Sequence, residues 1–284
     1  MEITTETAKR LIRDQFPQWQ ELPIRPVAKS GHDNRTFYLG DTMTVRLPSS
    51  EDYAPQAAKE NQWLPYLQKH LDYPVSCPLA LGKPASYYPF PWSVNLWIEG
   101  ETLLQCPDIP KEKLAQDLSA ALKKLQAVDC HHGPRAGLHN FYRGGDLTVY
   151  HQQTMDALEH LRSRLPTPRL SALWQQCIAV PYSGKNVWVH GDIAPGNILI
   201  KDRRFWGLID FGILGAGDPS CDYAMAWTYF DGPSRTAFLK GLSDDMISRA
   251  MGWALWKALI TYDDENPDVK NNARYTVETI LKEA

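Results

Sequence analysis

The sequence predicts an α+β chain with a small, sheet-rich N-terminal lobe followed by a larger, mainly helical lobe. Three observations carry that prediction. Apolar residues alternate with period two between Val27 and Leu47, and they recur at three- and four-residue spacing through much of the chain after Gly100. Short apolar runs at 187–189, 198–200 and 205–209 interrupt the helical part. With 284 residues, 43% of them hydrophobic, the chain has enough apolar surface to bury a substantial core.

The elements follow in order. Ala8, Leu11, Ile12 and Phe16 form an amphipathic helical stripe that Pro17 ends. Phe37 and Leu39 share a strand face, Gly40-Asp41 supplies a turn, and Met43, Val45 and Leu47 share a face again, which reads as a hairpin. Between Pro55 and Leu71, Ala57, Glu60, Leu64 and Leu67 keep helical spacing around a kink at Pro65. The stretch Pro74 to Trp92 carries too much proline for helix and reads as a connection, after which strand character returns from Val94 to Ile98. Leu114, Leu118, Ala121, Leu122, Leu125 and Val128 then line one face of a buried helix. Further helices are expected within 146–163, 171–179, 222–241 and 244–260, and near the C-terminus. The expected division is therefore 1–95, a connection at 96–100, and 101–284.

Composition narrows the function. A net charge of −3, from 30 basic and 33 acidic side chains, lacks the overall basic footprint of a nucleic-acid-binding protein. The charged N-terminus and the absence of about 18 uninterrupted apolar residues give no signal peptide or membrane span, so a cytoplasmic location is expected. Five dispersed cysteines with no Cys-x-x-Cys pair argue against a disulfide framework or structural zinc, and Cys130-His131-His132 with His139 lacks the spacing of a metal site.

The chemistry-bearing residues lie in Val187 to Ile200, where a polar loop joins two apolar strands. Asp192 and Asn197 stand five residues apart in His190-Gly191-Asp192-Ile193-Ala194-Pro195-Gly196-Asn197, and Asp210 follows in Ile209-Asp210-Phe211-Gly212. Phosphoryl transfer needs an oriented hydroxyl and cations that neutralise charge on the moving phosphate. Asp192 suits the first task, and Asn197 and Asp210 offer the oxygen ligands that Mg²⁺ prefers. Taken singly, each could be a turn or cap residue. Their order, spacing and flanking strands point to catalysis.

These residues resemble the aminoglycoside phosphotransferase family of protein-kinase-like small-molecule kinases, and the likeness extends across most of the chain. The resemblance implies a bilobal kinase-like fold: 1–95 as the nucleotide-binding lobe, 96–100 as hinge and 101–284 as the helical catalytic and substrate-binding lobe. It makes Asp192 the catalytic aspartate, Asn197 and Asp210 the Mg²⁺ ligands, and His190 an architectural support. ATP or GTP would be the phosphate donor. Ser30 and Gly31 occupy the turn that would cover the phosphates, while Asn95, Trp97 and Ile98 lie in the stretch whose backbone would meet the base. Arg46 stands where relatives carry a phosphate-binding lysine, with Glu60 as its candidate partner.

That arginine keeps the charge but changes the geometry, so two functional classes are carried: an active O-phosphotransferase and a non-catalytic nucleotide-binding or regulatory protein. On the substrate side, the acidic run Asp263, Asp264 and Glu265 could receive a polycation such as an aminoglycoside or be a solvated loop. Antibiotic resistance is one use of such chemistry. Trp227, Trp253 and Trp256 could shape a pocket or pack a core, and Asp222 could cap the helix beginning at Tyr223.

Overall fold

The computed structural model describes residues 2–27 and 33–283. Its chain divides into two compact units, the first comprising Met1–Glu101, Leu199–Lys201 and Trp206–Ile213, the second the remainder.

In the first unit, helix α1 (Thr5–Gln15) buries Ala8, Leu11 and Ile12 and is started by a Thr4 capping box with Thr7. It packs on a five-stranded antiparallel sheet ordered β1-β2-β3-β5-β4, built from Ile24–Pro26, Asn34–Leu39, Met43–Pro48, Trp92–Leu96 and Pro78–Gly82 respectively. Register pairs Phe37 with Val45 and Leu39 with Met43 across a turn at Gly40, whose φ of 61° suits glycine. Phe37, Leu39, Val45, Leu47, Trp92 and Val94 form the core under α1. Helix α2 (Ala54–Gln68) lies against β4 and β5 and contains Pro65 within it.

Strand β4 corrects the expectation of an irregular connection from Pro74 to Trp92. An edge strand tolerates Pro78 because its outer N–H side needs no ladder partner, so the proline content obscured it. After β6 (Glu101–Thr102) the second unit opens with α3 (Lys111–Ala127), which buries the predicted leucine stripe.

Helices α4 (His151–Leu161) and α5 (Thr167–Ile178) follow, then β7 (Val187–Val189), β8 (Ile198–Lys201), β9 (Arg204–Leu208) and β10 (Gly215–Gly217). The helix expected over 222–241 is broken into α6 (Met225–Thr228) and α7 (Gly232–Leu239). Gly232-Pro233 starts the latter behind an Asp231 capping box, and Pro233 could not have continued a helix from α6.

Helix α8 (Asp244–Ile260) is apolar on most sides and is packed by α4, α5 and α9 (Pro267–Glu283). Trp227, Trp253 and Trp256 are all buried here, which resolves their two readings in favour of packing. No described helix is long and apolar enough to cross a membrane.

Candidate active site

The second unit carries the Asp192 loop. Pairing of Val189 with Gly215 fixes where β7 ends, and Gly191, at φ 89°, turns the chain out of the strand. The Asp222 carboxylate then holds the backbone, accepting the N–H of His190 at 2.8 Å and of Gly191 at 2.7 Å. Asp222 is wholly buried; burial pushes its carboxyl above the usual range, while His190 and the two amides pull the other way. This corrects the capping expectation, because the cap of the following turn is Asp218, which accepts the Ser220 N–H at 3.0 Å. No local pattern signals the Asp222 contact, which spans more than thirty positions to its backbone partners.

His190 is fully buried and its Nδ1 accepts the Asp192 N–H at 3.2 Å. Asn197 Nδ2 donates to both the Asp192 carbonyl oxygen and Asp192 Oδ2, each at 2.9 Å. The exposed Asp192 side chain thus has one oxygen engaged by Asn197 and retains Oδ1 as acceptor, while Asn197 retains its own Oδ1. Arg143, which sequence reasoning passed over, donates from Nε to the Gly191 carbonyl at 3.1 Å.

The first unit holds Arg46, Glu60 and Asp210 together. Arg46 Nη1 lies 2.9 Å from each Glu60 carboxylate oxygen, and Nη2 lies 2.6 Å from Asp210 Oδ1. The pair Arg46–Glu60 is buried, whereas the Asp210 side chain keeps 35% of its exposure. Burial opposes the charge on Arg46, but the two carboxylates outweigh it and hold its pKa above the ordinary arginine range. Burial, helped by Asp210, raises the Glu60 carboxyl against the pull of Arg46. Asp210 adopts φ 65°, an uncommon conformation for a non-glycine residue. At Gly212 an added Cβ would meet Gln56 Oε1 at 2.4 Å, so α2 presses Gln56 and Glu60, one turn apart, onto the Asp210–Gly212 segment.

The remaining predicted residues are placed as follows. Ser30 and Gly31 lie outside the described residues. Asn95 is inside β5, fully buried, with Nδ2 donating to Ser76 O at 2.9 Å, so its side chain belongs to the sheet. The Trp97 N–H is given to Thr42 O at 2.9 Å and its ring meets Tyr38 edge-on; Ile98 is half-buried. Asp263, Asp264 and Glu265 line a cavity of about 660 Å³ with Gln153, His160 and Leu259. Asp263, however, is already clasped by Arg164 at 2.8 and 2.6 Å, which holds its carboxyl below the usual range. That carboxylate therefore has an internal partner.

The chain matches the phosphotransferase enzyme family (APH) over residues 24–256 and belongs to that family. Among solved structures, the GDP complex of wild-type aminoglycoside 2'-phosphotransferase-IIIa superposes with a TM-score of 0.72 at 18% identity, covering 99% of this chain and 100% of that one. Macrolide 2'-phosphotransferase MphH from Brachybacterium faecium gives 0.62 at 16% identity, with 96% and 97% covered. At such identities the likeness establishes the kinase-like α+β fold. A curated relative, tyrosine-protein kinase JAK3 of Rattus norvegicus, is 31% identical over 117 residues, which are 39% of this chain. The match spans only 10% of that relative's length.

Proposed function

We propose that the protein transfers the γ-phosphate of ATP or GTP to a hydroxyl of a small molecule, an aminoglycoside-like compound or a related hydroxylated metabolite, with Mg²⁺ as cofactor. The observation that carries this reading is the state of Asp192: an exposed carboxylate on a backbone pinned by the buried Asp222 and His190, with one oxygen occupied by Asn197 and the other open. Such a group accepts the hydroxyl hydrogen, orients the oxygen for attack and takes the proton as the new O–P bond forms and the γ-phosphate leaves the nucleoside diphosphate. His190 supports the loop without touching the reacting atoms.

The donor chemistry suits magnesium. Asn197 has its amide nitrogen committed to Asp192 and its oxygen left to offer, and Asp210 has one oxygen on Arg46 and the other left, so both candidates present hard oxygens. When bound, the ion would neutralise charge on the phosphates. Arg46, steadied by Glu60, would add positive charge on the nucleotide side, and the backbone around Asn95, Trp97 and Ile98 would meet the base. The relative solved with GDP supports a guanine nucleotide as one donor to test. Asp264 and Glu265 are the acidic groups proposed to face a cationic substrate, with Asp263 contributing less because Arg164 already neutralises it.

The test is direct. Purified protein with Mg²⁺ and radiolabelled ATP or GTP is assayed against kanamycin, erythromycin and simple polyols. Asp192→Ala should abolish transfer while nucleotide affinity stays within about threefold, and Asp210→Ala should weaken Mg²⁺-nucleotide binding by at least about tenfold. Full transfer by Asp192→Ala would refute the catalytic assignment. A second reading, a nucleotide-binding regulator, draws on the Arg46–Asp210 contact and would be favoured by tight nucleotide binding with no transfer to any acceptor.

A further inference from the structure

The loop 137–145 is wound tightly: Phe141 (φ 49°), Tyr142 (φ 53°) and Gly144 (φ 80°) all adopt left-handed conformations, the first two without glycine's freedom. Buried Asn140 ties the loop, its Oδ1 accepting Gly137 N–H at 3.0 Å and its Nδ2 donating to Arg143 O at 2.8 Å. The Gly144 carbonyl accepts the Asp218 N–H at 2.8 Å, and a Cβ at Gly217 would lie 1.9 Å from that same oxygen, so the loop is seated against β10 with no slack.

The product of this winding is the placement of Arg143. Its Nε reaches the Gly191 carbonyl, and its guanidinium carbon sits 5.1 Å and 4.9 Å from the ring centres of Trp253 and Trp256 on α8. Nη1 is buried without a well-formed hydrogen bond, although the Tyr150 hydroxyl lies near enough for the guanidinium to favour the ionised form of that hydroxyl. A buried charged donor without a well-formed hydrogen bond is costly unless something else stabilises the cation, and two indole rings supply that. Tyr150 stacks on Trp256 at 3.8 Å and anchors back to the loop through its hydroxyl on Phe141 O, holding in place one of the two indoles that face the arginine.

We infer that Arg143 is a positioning residue for phosphoryl transfer, holding the Gly191 carbonyl while Asp222 holds the His190 and Gly191 amides. The peptide groups leading into Asp192 are thereby fixed from opposite ends: donors to Asp222, acceptor to Arg143. Gly191 needs this, because a glycine in left-handed conformation has little barrier of its own against reorientation. Rotation of that peptide would carry the Asp192 carboxylate away from an attacking hydroxyl. The inference rests on the role proposed for Asp192.

The experiment compares Arg143→Met, Arg143→Lys and Asp192→Ala with wild type, using Mg²⁺-ATP and Mg²⁺-GTP with water as the acceptor, alongside hydrogen–deuterium exchange. Methionine keeps the apolar stem between the indoles and removes every donor. It should lower kcat by roughly 10- to 100-fold with KM for nucleotide within about twofold, as displacement of a catalytic group does. Arg143→Lys, which keeps the charge and N–H donors but not the guanidinium geometry, should recover at least about fivefold of that loss yet stay measurably below wild type. Peptides covering 190–192 should exchange faster in Arg143→Met, while those in α3 stay protected.

Unchanged kcat and unchanged exchange in Arg143→Met overturn the inference. Loss of kcat with equal loosening of α3, unrelieved by lysine, also overturns it, since that is general destabilisation. If Arg143→Met does not fold, Arg143→Lys decides: slower turnover at constant KM with faster exchange at 190–192 supports the role, and wild-type behaviour in both removes it. A fully active Asp192→Ala would instead sink the underlying catalytic reading, whatever Arg143 does.

Discussion

Replacing Arg46 with methionine is the perturbation whose outcome the structure constrains most tightly. The guanidinium touches two carboxylates, but they differ in setting: the Glu60 side chain is 3% exposed, the Asp210 side chain 35%. Water screens the second, so the energetic weight falls on Glu60. Removing one partner of a buried ion pair leaves an uncompensated charge, at a cost of about 3–5 kcal/mol. Glu60 can lower that cost by taking up a proton, which burial already favours.

The pH dependence follows with a definite sign. A carboxyl whose folded pKa is raised binds more protons folded than unfolded, so stability falls as pH rises above the unfolded value. Without Arg46 that window widens upward, and Arg46→Met should lose more stability relative to wild type at pH 8 than at pH 5. Equilibrium urea unfolding of Arg46→Met, Glu60→Gln and the double variant at both pH values measures this. The double variant should be more stable than the sum of the single losses by at least about 1.5 kcal/mol. Additive losses, or an Arg46→Met penalty below about 1 kcal/mol at both pH values, would refute the claim that Arg46 neutralises a buried carboxylate.

Three further outcomes are expected. Asp222→Ala strips two buried amides of their acceptor and should cost about 2–4 kcal/mol in urea unfolding, with Asp222→Asn costing less because one acceptor oxygen remains. Arg249→Met breaks the buried contact with Asp218 (2.7 Å) and should destabilise by about 3–5 kcal/mol, whereas Arg164→Ala, breaking the exposed pair with Asp263, should leave the melting temperature close to that of wild type; matched thermal melts compare them. Cys177, whose thiol burial pushes up to about 11, and the buried Cys221, pushed well above the ordinary thiol range, should resist a thiol reagent at pH 8 until the chain unfolds; rapid labelling of either in the folded protein would contradict their burial.

Much of the fold was legible because local patterns coincide with final burial. The α1 stripe, the hairpin around Gly40 and the leucine face of α3 each depend on neighbours a few residues away. Asp192, Asn197 and Asp210 stand out as candidates for the same reason, since a fixed spacing between apolar strands is a local signal. What escaped is what depends on distant segments. Asp222 reaches back about thirty residues to His190 and Gly191, and Arg143 reaches forward 48 to Gly191. In sequence each is an ordinary polar residue beside a turn. Likewise Asn95 falls within the strand read from Val94, but only the fold shows that its side chain is buried and tied to Ser76 O, 19 positions away. The Arg46–Asp210 contact joins positions 164 apart and follows from arginine's fork, which can grip Glu60 with one nitrogen and Asp210 with the other.

The two aspartates tied to the His190–Asp192 loop sit in opposite settings. Asp222 is buried with a backbone donor on each carboxylate oxygen, a setting that suits a rigid acceptor and denies it access to any substrate. Asp192 is exposed, with a single side-chain donor on one oxygen, so it keeps the open acceptor that a hydroxyl requires. Exchanging those settings would fail on both counts: a solvated Asp222 would gain little from holding amides that water could satisfy, and a buried Asp192 would resist ionisation. On the function proposed above, the rigidity of the first is a condition for the role of the second. This also explains why Asp222→Asn and Asp192→Asn should differ in kind: Asp222→Asn should lower stability and turnover together, whereas Asp192→Asn should remove turnover and leave urea unfolding within about 0.5 kcal/mol of wild type, as expected for an exposed site.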